Sequence, residues 1–383
     1  MQIHHLGWLL LLTLTSIFIE VYSLSKEDTC TPSSAGNSSI DDVPAISKAL
    51  LTCGNGGTII IPSGTIFMIR SPLDFINCHA CNFQIEGTLK VSDDLNYWGS
   101  KTTFFLLQNI AGATIQSLTG SGVIDGNGQA YWDYFAKHKT YKRPLLMFFS
   151  NASNITFTNM KLKNAPMMFI TVKVKSVNIT FSDLILSAVS TSVNDPKNTD
   201  GFDIGECSYV TLKNIHVTNG DDCVAFENGA NYITVNNITC IGSHGVSIGS
   251  LGLGAGQTYI VQNVFVSNIK MINCSKAAGI KLWPGVDNCD YAFRIMNCYE
   301  SDNNTCKKHP SAAHLSHIHL INFIGKTSRK YDPHVANIDC PPKGTCDLIF
   351  SGWNIIAPSR KSVVLCANYD HPSGVKCTPG AFG

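Results

Sequence analysis

Between Asn198 and Lys281 the chain carries three acidic side chains, a histidine and a lysine in short clusters at a recurring interval. Asn198-Thr199-Asp200 is followed about 20 residues later by Gly220-Asp221-Asp222. Ser243-His244-Gly245 comes after a similar step, and Ile280-Lys281 after a longer one. Carboxylates brought side by side are the groups that acid–base displacement needs. One stays protonated and supplies a proton, and another stays ionised and activates a water. Mutual repulsion raises one of the two pKa values, which helps keep the acid protonated. Taken singly, Asp in Asn-Thr-Asp-Gly or Gly-Asp-Asp is a common turn former. The shared interval with His244 is what argues for one site.

That interval also belongs to the elements around the clusters. Asn154-Ile155-Thr156-Phe157, Asn178-Ile179-Thr180-Phe181, Tyr209-Val210-Thr211-Leu212 and Tyr232-Ile233-Thr234-Val235 are strand-like pieces repeated at a similar step. A repeat of 20–30 residues implies a solenoid whose equivalent positions stack roughly 4.8 Å apart. Short β-branched strands with Gly or Asn turns, and no Asn-Gly or Asp-Gly hairpin spacing, predict a parallel β-helix rather than a sandwich. The fold class is therefore all-β. Asn159, Asn214, Asn237 and Asn268 recur before an apolar residue, as asparagines do when they fill turns or stack in ladders.

Asp41 to Leu50 has helical apolar spacing with acidic residues in its first turn, and is expected to cap the open end of the solenoid. Strands are expected at Thr58–Pro62, within Ile85–Val91, at Ile115–Leu118 and at Val123–Gly126. Gln129–Ala136 and Gly249–Gly256 read as long loops. After Lys281 the next strand-opening sequence is missing, because Pro284-Gly285-Val286 runs directly into Asn288-Cys289-Asp290-Tyr291. Most of one coil is absent there.

The chain has 383 residues, and its 28 Lys and Arg nearly balance 27 Asp and Glu. A net charge of +1 gives no overall field for nucleic acid or an anionic membrane, but leaves room for a local basic patch facing an acidic polymer. The apolar run Trp8–Ile19, followed by small residues near Ser23, reads as a secretory signal peptide over residues 1–23, with an uncleaved anchor as the alternative. The mature chain, 24–383, is then one domain outside the cell with no membrane span, expected to be a monomer. Fifteen cysteines suit an oxidising compartment. Local spacing suggests the pairs Cys30–Cys53, Cys223–Cys240, Cys298–Cys306, Cys340–Cys346 and Cys366–Cys377. Cys78 and Cys81 bridge each other or, less simply, bind a metal. Cys207, Cys274 and Cys289 are the candidates for a free thiol. Sequons at Asn37, Asn151, Asn154, Asn178, Asn237, Asn273 and Asn303 agree with secretion, although Asn-Ile-Thr also suits the strand starts of the repeat.

The four clusters resemble glycoside hydrolase family 28, the polygalacturonases, which carries Asn-Thr-Asp, Asp-Asp, Gly-His-Gly and Arg-Ile-Lys in this order. Here they read Asn198-Thr199-Asp200-Gly201, Gly220-Asp221-Asp222-Cys223, Ser243-His244-Gly245 and Gly279-Ile280-Lys281. The similarity runs from Cys30 to the C-terminal region. Pro196 to Glu206, together with Ala277 to Lys281, is most similar to the fungal subgroup containing xylogalacturonan hydrolases. The resemblance implies a right-handed, single-stranded parallel β-helix and a secreted inverting glycosidase acting on α-1,4-galacturonosyl linkages of pectin, with no cofactor and no metal. It implies Asp221 as general acid, Asp200 with Asp222 holding the attacking water, and His244 setting the protonation of the acid. Asn198 and Lys281 would bind substrate, Lys281 through a galacturonate carboxylate. Tyr291 matches the family's substrate-binding tyrosine, and a core tyrosine is the other reading.

Two departures follow. Gly279 stands where most polygalacturonases have arginine, which removes a bidentate carboxylate clamp. The absent coil brings Tyr291 one layer closer to Lys281. Both motivate an alternative of another class, a pectin-binding protein of the same fold without productive geometry.

Overall fold

The computed structural model describes residues 28–252, 258–282, 291–299, 303–369 and 371–382. The signal peptide, Cys289 and the segment 283–290 lie outside them. Parallel strands stack into two long sheets of 13 and 12 strands, forming the parallel β-helix that the repeat predicts, with the right hand that the family resemblance implies.

The first sheet shows why the repeat is what it is. Ile155, Ile179, Val210, Ile233 and Val264 stand in register on five successive coils. The first four are fully buried. Branched side chains stacked on their own kind fill a narrow solenoid core, and the residues between them point outward. At one corner the chain turns through Asn159, Asp183, Asn214, Asn237 and Asn268, each with φ of 56–57°. Asparagine tolerates this left-handed conformation, and its amide can bond to the coil above. Asn237 Nδ2 donates to Asn214 Oδ1 at 2.9 Å, and Asn214 Nδ2 to Asp183 Oδ1 at 3.0 Å. At another corner Asn178 donates to Asn154 at 2.7 Å. Several sequon asparagines are therefore members of structural ladders.

In the second sheet each coil contributes a short strand. Phe202–Ile204, Val224–Phe226, Val246–Leu251 and Lys276–Leu282 follow one another. Phe202, Val224, Val246 and Ala278 are in register and point inward; Asp203, Ala225, Ser247 and Gly279 form the opposite row. The reactive clusters lie in the turns that feed these strands.

Three expectations need correction. The capping helix is present as Val43–Cys53, with Pro44 in its first turn, but Asp41 and Asp42 precede it. Their carboxylates tie it to the first coil instead: Asp42 accepts from the Ala35 and Met68 amides at 2.7 Å, and Asp41 from the Arg70 amide at 2.9 Å. Gln129–Ala136, expected as a loop, is a helix over Gln129–Lys137. It is held by two buried aromatics: Tyr131 donates to the Ser92 carbonyl at 2.8 Å, and the Trp132 indole to the Ala165 carbonyl at 3.2 Å. The expected loop from Gly249 begins later, because Val246–Leu251 is strand; 253–257 lie outside the described residues.

The absent coil is visible as a break in one sheet only. In the second sheet Tyr291–Met296 pairs directly with Lys276–Leu282, placing Tyr291 beside Lys276 and Met296 beside Lys281. In the first sheet the strand Gln262–Ile272 pairs with Ala230–Ile241 above, and among the described residues nothing pairs below it. Its Phe265 and Val266 are exposed. Beyond the break, His314–Ile321 and Thr345–Ser351 form a separate pair, and the buried apolar side chains divide into two clusters.

All six expected disulfides are formed, and Cys207 and Cys274 are free thiols. Cys223–Cys240 closes a span of 17 residues directly beside Asp222. Replacing both cysteines with alanine is expected to cost about 3 kcal/mol of stability. Thermal unfolding of the double variant measures it.

Candidate active site

Asp200, Asp222 and His244 each lie two residues before an inward-facing strand residue, Phe202, Val224 and Val246, which stand in register. They are thus equivalent positions on three successive coils, as the interval predicts. The turns are fixed from inside. Thr199 Oγ1 donates to the Pro196 carbonyl at 2.6 Å and accepts from the Gly220 amide at 3.0 Å. Asn219 Nδ2 donates at 2.8 Å to the carbonyls of both Thr199 and Asp222. One buried amide therefore clamps two aspartate turns together.

Asp221 and Asp222 are neighbours in sequence with opposite surroundings. The Asp221 side chain is 19% exposed, and His244 Nδ1 lies 3.0 Å from its Oδ1. Asn198 Nδ2 donates to its other oxygen at 3.3 Å. His244 itself is 47% exposed, so this pair stands at the solvent side. Asp222 is fully buried. Its Oδ1 accepts from Ser247 at 2.7 Å and from Lys276 Nζ at 3.2 Å, and its Oδ2 accepts from Lys281 Nζ. Atoms of Asp221, Asp222 and His244 lie within 4.8 Å of one another. That grouping could hold a cation by distance, but two ammonium groups already neutralise Asp222.

The environments push the carboxyls apart. Burial opposes ionisation of Asp222, yet Lys276 and Lys281, with the Lys281 and Ser247 hydrogen bonds, hold it well below the usual carboxylate range. Asp200 is buried too, and no donor meets its carboxyl among the described residues. Burial, then the charges of Asp203, Asp221 and Asp222, push it well above that range. Lys281 is raised despite its burial, because Asp222 faces it; burial lowers Lys276 even with Asp222 beside it.

Asn198, Asp200, Asp221, Asp222, His244 and Lys281 are therefore brought together. Tyr291 is not. It is 2% exposed, with its ring stacked on Tyr331 at 5.0 Å, and a covered ring has no free face for a sugar. The core reading applies to Tyr291, because the absent coil sets its strand directly against Lys276–Leu282.

Sequence reasoning missed Lys276. It stands two residues before Ala278, which is in register with Val246, so it continues the series of Asp200, Asp222 and His244 into the next coil. Its Nζ also donates to the His244 carbonyl at 2.5 Å. Lys276 accounts for Gly279 as well. A Cβ built on Gly279 would lie 2.9 Å from both Cδ and Cε of Lys276 and 2.8 Å from the Arg294 carbonyl oxygen. The lysine stem crosses the space an arginine stem would start from. Arg143 was missed too: it is 7% exposed, and its guanidinium donates to Asn198 Oδ1 at 2.7 Å and to the Lys197 carbonyl at 2.5 Å.

Comparison with known proteins shows the family and the fold. The sequence model described as glycosyl hydrolases family 28 matches residues 58–377. The probable endo-xylogalacturonan hydrolase A of Aspergillus flavus is 48% identical over 372 residues, covering 92% of this chain and 91% of that protein. The crystal structure of endo-xylogalacturonan hydrolase from Aspergillus tubingensis superposes with a TM-score of 0.90 at 47% identity, covering 93% of this chain and all of that one. A polygalacturonase from Erwinia carotovora shares the fold, with a TM-score of 0.66 at 19% identity over 92% of this chain and 97% of that one. With a match spanning most of the sequence and relatives of nearly half identity along its length, the chain belongs to glycosyl hydrolases family 28.

Proposed function

We propose that the protein is a secreted hydrolase of α-1,4-galacturonosyl linkages in pectic polysaccharide, acting on xylogalacturonan with inversion at the anomeric carbon. One observation carries this reading: a solvent-side carboxyl, Asp221, stands beside an anionic Asp222 locked between two lysines. Asp221 gives its proton to the glycosidic oxygen as the bond to the anomeric carbon breaks. A water held between Asp200 and Asp222 attacks that carbon from the other face and loses its proton to this pair. Asp222 stays ionised in acid, so the pair keeps the negative charge that draws that proton away from the water. Asp221 then regains a proton from solvent, with His244 at hydrogen-bond distance.

Substrate choice follows from Lys276 and Gly279. With the lysine turned inward onto Asp222, its stem fills the space from which an arginine would start, so the centre lacks the bidentate clamp that would select a bare galacturonate unit by its carboxylate. The names of the A. flavus and A. tubingensis relatives support the same substrate. Six disulfides support an extracellular site of action. The binding-only alternative loses its main motive, since the space at Gly279 is occupied by an ordered cation rather than left by decay.

The test is reducing-end release from xylogalacturonan and from unbranched polygalacturonate, with proton NMR of the first product formed. Xylogalacturonan is expected to be the better substrate and the nascent reducing end to be the β anomer. Binding without product on both polymers would return the pseudoenzyme reading, and an α product would mean a covalent intermediate.

A further inference from the structure

A second concave site lies next to Asn198, on the N-terminal side of the aspartates. It is a cavity of about 540 Å3. Its walls carry Lys101, Lys139, Lys142 and Arg143, and they carry no carboxylate. Phe135 and Tyr141 supply aromatic surface. In a chain of net charge +1 this is a local concentration of one sign.

The cations differ in what they are free to do. Arg143 is committed: it lies over the Phe135 ring at 3.8 Å and bonds to Asn198 and to the Pro166 and Lys197 carbonyls. Lys139 faces the same ring, its Nζ 4.9 Å from the centroid, and is exposed at its head. Lys142 is exposed as well. Among the described residues neither Lys101, Lys139 nor Lys142 forms an ion pair with a carboxylate. Lys101 Nζ lies over the Tyr97 ring at 4.9 Å, outside the cavity lining, which leaves Lys139 over Phe135 and the exposed Lys142 as the cations open to an anion.

Position says which anion. Leu145 begins a strand two coils before Phe202–Ile204, and Thr102 immediately precedes the strand three coils before it. At a rung spacing of about 4.8 Å, the cavity therefore reaches roughly 10–14 Å from the aspartates along the solenoid axis. Asn198 is shared by both sites, so the two are continuous.

We propose that this cavity is a distal subsite that binds the carboxylate of a galacturonate unit well removed from the scissile bond, through Lys139 and Lys142, with the sugar resting against Phe135 and Tyr141. It rests on the substrate class proposed above. The polymer is then held on the N-terminal side by carboxylate pairing, while the centre carries no arginine clamp. A unit whose carboxyl is methyl-esterified gains nothing there.

The test is direct calorimetric binding, so that it does not depend on turnover. The probes are hexagalacturonic and digalacturonic acid, with wild type and the double variant Lys139→Ala/Lys142→Ala. Both side chains are exposed, and the variant is expected to unfold at the wild-type temperature. Hexamer affinity is expected to fall roughly tenfold and dimer affinity less than twofold. The hexamer difference should vanish with the methyl ester of the hexamer and in 0.5 M salt, where screening acts over about 4 Å. Equal affinity of variant and wild type for the hexamer overturns the subsite, as does an equal loss on hexamer and dimer. If both proteins bind the hexamer as expected but release no reducing ends from xylogalacturonan or from polygalacturonate, the hydrolase reading fails and the subsite stands.

Discussion

Asp221→Asn is expected to lower hydrolysis of xylogalacturonan by about 10²–10⁴-fold, the range a positioned general acid supplies, while leaving oligosaccharide affinity and thermal stability near wild type. The asymmetry comes from the surroundings of the two adjacent aspartates. Asp221 is partly exposed and contacts Asn198 and His244, so an amide of the same shape keeps both contacts after a flip. Asp222→Asn, by contrast, would leave Lys276 and Lys281 facing a neutral group in a buried site, and it should lose stability along with activity. Initial rates and melting curves for the pair separate a proton donor from a residue that only holds the fold. An Asp221→Asn enzyme that still turns over at wild-type rate removes Asp221 from the role.

The second large effect is expected at Lys276, which sequence motifs do not mark. Lys276→Met leaves the buried Asp222 with one cation in place of two, and breaking a buried pair costs about 3–5 kcal/mol, less whatever Lys281 retains. The pH dependence gives the sign. Asp222 is held below the ordinary carboxylate range, so its ion pairs stabilise the fold above the unfolded pKa and are lost as pH falls through the depressed folded value. Without Lys276 that folded value moves up, and stability and activity should both fail at a higher pH on the acid side. A profile unchanged on that side would show that Lys281 alone sets Asp222. Gly279→Arg tests the same packing from its other partner. Alone it meets the Lys276 stem and the Arg294 carbonyl, and overpacking of this kind costs about 1–3 kcal/mol. Combined with Lys276→Asn it should be less damaging than the sum, with a coupling of about 0.5–3 kcal/mol.

How much of this the sequence discloses depends on whether the signal is periodic. The coil register was legible because Ile155, Ile179, Val210 and Ile233 sit in near-identical strand openings and stack on one another. The aspartates and His244 were legible for the same reason: 22 residues separate Asp200 from Asp222, and 22 more reach His244. Lys276 lies 32 residues further on, and that longer step, which contains Gly252 to Tyr259, hides an equivalence the register restores. The helix at Gln129–Lys137 was hidden differently. Tyr131, Trp132 and Phe135 have helical spacing, but so short a run among strands is read as a loop unless its docking partners are known. Tyr291 was misplaced because a motif carries no count of coils. Its neighbours changed when one coil was lost, and only pairing partners report that.

The interrupted first sheet bears on how the molecule comes apart. The disulfides among the described residues all lie on one side of it or the other: three join residues up to Cys240, and three join residues from Cys298 onward. With the apolar interior also divided, among the described residues only the second sheet carries cooperativity across the gap. Denaturant should melt the C-terminal coils as a unit of their own, baring the lower edge of the strand that bears Lys276 and Lys281. Catalysis would then vanish while most far-ultraviolet ellipticity persists, and amide exchange would divide the polypeptide at the same boundary.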